Sequence, residues 1–293
     1  MLLGGPVSNY KEHRIAVIGA GVMGTNIAAT AIGHGLPVVL VDVDEHVVEE
    51  ARTTTLNHVR HAQLMGALPA DRPLGTLTTS VSVEDAADTT AVVEAIVESP
   101  EVKAKLLTEL SALVAAGTPL ISNTSGIPID ELADWVTRPA DLLGTHFMNP
   151  TYLIKMVEVI RGPRTGDAAL ESVADLLTAM GRQPVVVRDA PGFVTSRLLH
   201  PMLNDAARIV GAGTATVEDV DALMSGCLGH PTGPLRTADL IGLDNLADSL
   251  RVLHERTGDE RCRPCDLLLD KVRAGHLGRK SGRGFYDYGK ALS

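Results

Sequence analysis

Between Arg14 and Asp42 lies the stretch that most restricts how this chain can fold. Ile15-Ala16-Val17-Ile18 is a short apolar run rich in β-branched residues, the texture of a strand buried on both faces. It leads into Gly19-Ala20-Gly21-Val22-Met23-Gly24, after which Asn26–Ile32 reads as a helix stopped by Gly33 and Gly35. A second buried run, Val38-Val39-Leu40-Val41, ends at Asp42. Strand, glycine turn, helix, strand and acid in this order describe a parallel βαβ unit that binds a dinucleotide.

Each part of that unit has a physical reason. Gly19 permits the tight turn, Gly21 lets the backbone approach a pyrophosphate, and Gly24 lets the helix sit close to the strand. With Val22 and Met23 they form the expected cofactor-binding turn. The diphosphate then rests at the helix N-terminus, where N–H groups without intrahelical partners and the macrodipole attract negative charge. Asp42 is placed to accept hydrogen bonds from the adenosine ribose hydroxyls. Its charge repels a 2′-phosphate, so NAD is expected rather than NADP.

The rest of the chain extends this pattern. Asp44 to about Pro73 starts helical and charged and is then broken by Gly66, Pro69 and Pro73, as in a helical hairpin leaving the sheet. Thr90–Ile96 reads as a strand, Glu101–Ala116 as a helix carrying Lys103, and Pro119–Ser122 as a strand ending in Asn123-Thr124-Ser125-Gly126. Leu142–Thr145 leads into His146-Phe147-Met148-Asn149-Pro150, followed by extended Met156–Ile160 and a last strand at Val185–Val187. After Asp189 the texture turns helical, over Phe193–Val210, Thr216–Leu223, Ile241–Thr257 and Pro264–Ala274, before a short aromatic strand at Gly284–Tyr288. The expected fold class is α/β: a Rossmann, doubly wound, mainly parallel sheet over residues 1–188, then an all-α C-terminal domain over 189–293.

Composition removes several alternatives. A net charge of −10 argues against binding along a nucleic-acid backbone, which needs a basic footprint. No apolar run reaches the roughly 20 residues that span a bilayer, and Met1–Arg14 lacks the apolar core of a signal peptide. Three cysteines are too few for a disulfide framework. Cys262 and Cys265 read as ordinary thiols in a reducing cytosol, since no second metal-ligand pair accompanies them. A soluble cytoplasmic protein is expected, with no metal and no nucleic-acid or membrane partner.

Ser125, His146, Asn149 and Glu158 fall at or near strand ends of the dinucleotide half, where the reactive end of a bound cofactor belongs. Oxidising an alcohol by hydride transfer needs a base for the hydroxyl proton, groups that hold the oxygen, and a partner that orients the base. Histidine suits the first role because its unperturbed pKa, about 6.5, lies near neutrality. A carboxylate on the other ring nitrogen fixes the tautomer and stabilises the imidazolium. From spacing alone, His146, one of ten histidines, reads better as a satisfied structural histidine, and Glu158 reads as a strand-edge charge.

Across almost its whole length the sequence resembles the L-3-hydroxyacyl-CoA dehydrogenases, including the bacterial 3-hydroxybutyryl-CoA dehydrogenases. The resemblance runs through Gly19–Gly24, Val93–Glu98, Ser122–Ser125, Gly144–Pro150, Val157–Ile160, Asp189–Arg197, Glu218–Asp221, Gly229–Leu235, Asp239–Asp244 and Leu277–Tyr288, in one order. It implies an NAD-dependent enzyme interconverting the 3-hydroxyl and 3-oxo forms of a short acyl thioester. His146 resembles the family's catalytic base, Glu158 its orienting acid, and Ser125 the serine that bonds the substrate oxygen. Asp42, Glu98, Lys103, Asn149 and Lys280 match positions that contact the dinucleotide or its nicotinamide end, Asn149 standing with the catalytic group. The resemblance also implies a homodimer formed through the helical domain.

Two departures bear on the substrate. Ser196 stands where the family usually has an asparagine that contacts substrate, and its side chain is shorter by an amide. The Arg52–Arg72 excursion, which in relatives helps hold coenzyme A, carries Arg52, Arg60 and Arg72 and no lysine. The block Gly229–Asp244 is similar to dehydrogenases of polyketide extender-unit clusters, which oxidise a glyceryl or similar hydroxyacyl group on an acyl carrier protein. The carrier, coenzyme A or acyl carrier protein, therefore stays open. So do a carrier-free hydroxy or sugar acid as substrate, and a non-catalytic NAD-binding scaffold.

Overall fold

A computed structural model describes residues 13–289. The chain divides into two compact units that adjoin in sequence at Asp189 and Ala190. The expectation of no leader in Met1–Arg14 falls on residues 1–12, outside the described residues.

The first unit is built on one sheet of β1 (Ile15–Ile18), β2 (Val38–Val41), β3 (Leu77–Ser80), β4 (Ala91–Glu94), β5 (Leu120–Ser122), β6 (Leu142–His146), β7 (Met156–Arg161) and β8 (Gln183–Arg188). Their spatial order is β3-β2-β1-β4-β5-β6-β7-β8. All neighbours are parallel except β6 and β7, which run antiparallel. Chain order reverses beside β1, the switch point at which such sheets receive ligands beyond their carboxyl ends. The helices are α1 (Val22–Gly33), α2 (Glu45–Leu64), α3 (Pro100–Leu113), α4 (Ile129–Leu132) and α5 (Asp167–Ala179). Ile15, Val17, Leu40, Val93, Leu143 and Val159 of the sheet share one core with Ile27 and Ile32 of α1 and Val173 and Leu177 of α5. That core explains the apolar runs of β1 and β2: removing such side chains from water is worth roughly 1.5–3 kcal/mol each.

The second unit holds α6 (Thr195–Gly211), α7 (Val217–Leu228), α8 (Pro234–Ile241), α9 (Leu243–Thr257) and α10 (Asp266–Arg273). Leu203, Ala238, Leu246, Leu250, Leu253 and Leu268 form its centre. Thr216 caps α7 by accepting from the Asp219 N–H at 3.2 Å, while its own hydroxyl donates to the Asp219 carboxylate at 2.8 Å. Cys262 and Cys265 are free thiols.

Several expectations need correction. Asp44–Pro73 is no helical hairpin: α2 is a single helix, capped by the Asp44 carboxylate accepting from His46 and Val47, and irregular chain follows it. The excursion returns as β3, an edge strand whose Leu-Thr-Thr-Ser sequence is only partly buried and carries no apolar run. The helix expected over Ile241–Thr257 is α9 and starts two residues later, because Gly242 at φ 99° ends α8, a helix not expected from the sequence, and opens α9. Gly284–Tyr288 forms no strand; isolated bridges join Gly278 to Arg283 and Arg283 to Asp287. Asp239 organises this segment instead, its carboxylate accepting from the Phe285 and Tyr286 N–H groups and the Tyr288 hydroxyl at 2.8–3.0 Å.

Candidate active site

The glycine turn opens on a cavity of about 880 Å³ lined by Gly21, Asp42, Val43, Val97 and Val102 among others. Gly19 sits at φ 101°, and a side chain there would strike the Ala95 carbonyl oxygen at 2.5 Å. A Cβ on Gly24 would lie 1.7 Å from the Gly19 carbonyl oxygen, so α1 could not approach the turn with any larger residue. Gly21 differs: a Cβ built on it meets nothing within 4 Å, which marks open space above the turn. The N-terminus of α1 has no side-chain cap and no acid in its first turn. The Asp42 carboxylate is aimed by the Ala20 N–H, which donates to its Oδ2 at 2.8 Å. Open space over Gly21, an uncapped helix start and an oriented acid fit the diphosphate and ribose of a dinucleotide.

At the carboxyl end of β6, His146 stands directly opposite Glu158 of β7 in the antiparallel register. The imidazole Nδ1 donates to Glu158 Oε2 at 3.1 Å, with both residues 8% exposed. An ionised carboxylate at Nδ1 places the ring proton there and the basic lone pair on Nε2. Adjacent β5 leads into the turn that carries Ser125, which is exposed. Asn123 links the two strand ends, its Oδ1 accepting from the Phe147 N–H at 3.2 Å. Asn149 lies on the exposed loop after His146.

Behind Ser125 stands a charge network that runs from the exposed Glu98 to the buried Lys103 and Glu94. Glu98 Oε1 accepts from the Thr124 hydroxyl at 2.5 Å, the Ser125 N–H at 2.9 Å and the Gly126 N–H at 3.0 Å. Its other oxygen lies 3.2 Å from the Lys103 ammonium, which is also 2.5 Å from Glu94 Oε1. Partial burial pushes the Glu98 carboxyl up, but the Lys103 charge and the bonds from Thr124 and Ser125 outweigh it and hold the group below its ordinary value. Lys103 is not a solvated helix lysine: it is 0% exposed, and its ammonium lies between the carboxylates of Glu94 and Glu98.

Ser196 and Lys280 belong to the helical unit. Ser196 is buried in the first turn of α6, and the Lys280 ammonium pairs with Asp244 at 2.7 Å. Sequence reasoning missed Glu94 and Asn123. A glutamate inside the apolar run Val-Val-Glu-Ala-Ile was itself a signal, because a buried carboxylate must find a partner.

Residues 14–190 match the family model of the 3-hydroxyacyl-CoA dehydrogenase NAD binding domain. Residues 192–288 match that of the 3-hydroxyacyl-CoA dehydrogenase C-terminal domain. A Deinococcus radiodurans protein named "Probable 3-hydroxybutyryl-CoA dehydrogenase" is 42% identical over 278 residues, covering 94% of this chain and 100% of its own. The 3-hydroxybutyryl-CoA dehydrogenase of Bradyrhizobium diazoefficiens is 39% identical, with 94% and 95% covered. Among solved structures, (S)-3-hydroxybutyryl-CoA dehydrogenase of Ralstonia eutropha superposes with a TM-score of 0.87 at 35% identity, covering 96% of this chain and 100% of that one.

Proposed function

The chain belongs to the 3-hydroxyacyl-CoA dehydrogenase family, and on that premise we propose that it interconverts the 3-hydroxyl and 3-oxo forms of a short acyl-CoA thioester, such as 3-hydroxybutyryl-CoA, as an NAD-dependent oxidoreductase. One observation carries the residue roles: His146 and Glu158 face each other across β6 and β7 with a 3.1 Å bond at Nδ1. The turn Gly19–Gly24 and Asp42 would hold NAD, which when bound supplies the nicotinamide carbon that takes up hydride.

His146 removes the substrate hydroxyl proton at Nε2, and Glu158 holds the ring and the charge that develops on it. The Ser125 hydroxyl bonds the same substrate oxygen, while Asn149 borders it from the loop after His146. In the reducing direction His146 returns the proton. The test is NADH formation from 3-hydroxybutyryl-CoA. His146→Ala is expected to lower kcat by roughly 10²–10⁴-fold with NAD affinity kept. Unchanged turnover would remove His146 as the base.

A second reading of the carrier has its own support. Arg52, one of the few cations of the α2 excursion, gives one of its N–H groups to the Leu77 carbonyl at 3.2 Å, so it has fewer donors to offer the phosphates of coenzyme A. Matched 3-hydroxybutyryl and glyceryl groups on coenzyme A and on an acyl carrier protein separate the two; coenzyme A esters winning outright exclude the carrier protein. The homodimer is a proposal supported by the helical unit, where Leu198, Leu228 and Leu240 are 70%, 66% and 57% exposed. A second copy that covered these leucines would remove apolar surface from water. Light scattering should give twice the chain mass, and a monomer at micromolar concentration would count against it.

A further inference from the structure

Glu94 and Lys103 are sequestered from water, yet they make no apolar contribution to the core. Buried ion pairs are poor stabilisers, since an apolar replacement of similar volume often does as well. Their placement points elsewhere. Glu94 ends β4, and both its oxygens are anchored: Oε1 accepts from the Ile96 N–H at 2.9 Å, and Oε2 from the Ser122 hydroxyl of β5 at 2.6 Å. It thereby fixes the Lys103 ammonium relative to two strand ends.

We infer that Glu94 is a positioning residue for the Ser125 turn, acting through Lys103 and Glu98; the inference rests on the dehydrogenase reading above. Lys103 occupies one oxygen of Glu98 and leaves the other to gather the Thr124 hydroxyl and the N–H groups of Ser125 and Gly126. One cation shared by two carboxylates sets where Glu98 stands. Without the negative charge of Glu94, the ammonium is drawn wholly to Glu98. That carboxylate then shifts off the turn, and the Ser125 hydroxyl loses its fixed position at the substrate oxygen. Displacement of a positioning group by about 1 Å is enough to cost up to 100-fold in rate.

The test uses Glu94→Gln, which keeps size and hydrogen-bonding capacity but removes the charge, beside the milder Ser122→Ala. Three quantities are read: kcat for 3-hydroxybutyryl-CoA, the NADH dissociation constant from cofactor fluorescence, and amide hydrogen exchange at Ser125 and Gly126. Glu94→Gln should lower kcat roughly 10- to 100-fold, weaken NADH binding by clearly less than that because only the edge of the cofactor site at Glu98 is disturbed, and speed exchange of those two amides. Ser122→Ala should move kcat and exchange in the same direction by less. A Glu94→Gln protein that merely melts earlier, with kcat per folded molecule and both amides as in the wild type, overturns the inference. If Glu94→Gln does not fold, Ser122→Ala decides alone, and wild-type exchange in it is equally fatal. A wild-type protein inactive on every hydroxyacyl thioester would sink the dehydrogenase reading by itself, and the exchange comparison would still decide the relay.

Discussion

His146 and Glu158 are twelve residues apart in sequence and adjacent in space, because the one antiparallel pair of the sheet sets them in register. Both were legible as strand-end residues, but their contact was legible only through the family resemblance, since spacing does not state which strands run antiparallel. Glu158→Gln tests the pair most directly. An amide can donate as well as accept, so the proton is no longer enforced on Nδ1, and kcat should fall by about 10²–10⁴-fold in steady-state assays without loss of fold. Glu98 offers a test in acid. Its carboxyl is pulled up by burial but more strongly down by Lys103, Thr124 and Ser125, ending below its ordinary 4.5. A group depressed on folding gives stability that is complete above its unfolded value and is lost as pH falls through its folded value. Thermal scans below about pH 4.5 should therefore show the wild type losing melting temperature faster than Glu98→Gln. Parallel curves would remove Glu98 as the anchor of the Ser125 turn.

Elements with continuous apolar runs, such as β1 and β2, were plain in the sequence because strands buried on both faces favour apolar side chains. β3 was not, since an edge strand needs only one partner and tolerates Leu-Thr-Thr-Ser. α8 escaped for another reason: eight residues are too short for a clear period, although Pro234 at its first turn is a start signal. α2 was read correctly at its start, where Asp44 accepts from the His46 N–H at 2.8 Å. Asp44→Ala should cost about 0.5–2 kcal/mol, seen as a lower urea midpoint with an unchanged slope. A midpoint equal to the wild type would mean that the α2 N-terminus needs no cap.

For the molecule as a whole, alternation of strand and helix followed by helix alone was enough to name the architecture, because each half closes around its own core. No helix among the described residues is long and apolar enough to cross a membrane. A cofactor that binds the folded first unit and not its unfolded chain must raise the melting temperature. At a concentration about 100 times its dissociation constant, NAD adds roughly 2.7 kcal/mol. Calorimetry should record an upward shift with NAD and a smaller one with NADP, whose 2′-phosphate meets Asp42; equal shifts would contradict the assigned role of that acid.

The β6–β7 register has a consequence for how this protein can vary over time. Neighbouring side chains on a strand point to opposite faces, so inserting or deleting one residue in either strand sends the imidazole and its acid to opposite sides at once. Substitutions can tune this enzyme by degrees, but changes in the length of these two strands are all-or-none. Lineages descending from it are free to lengthen the loops around the pair and barred from lengthening the pair itself.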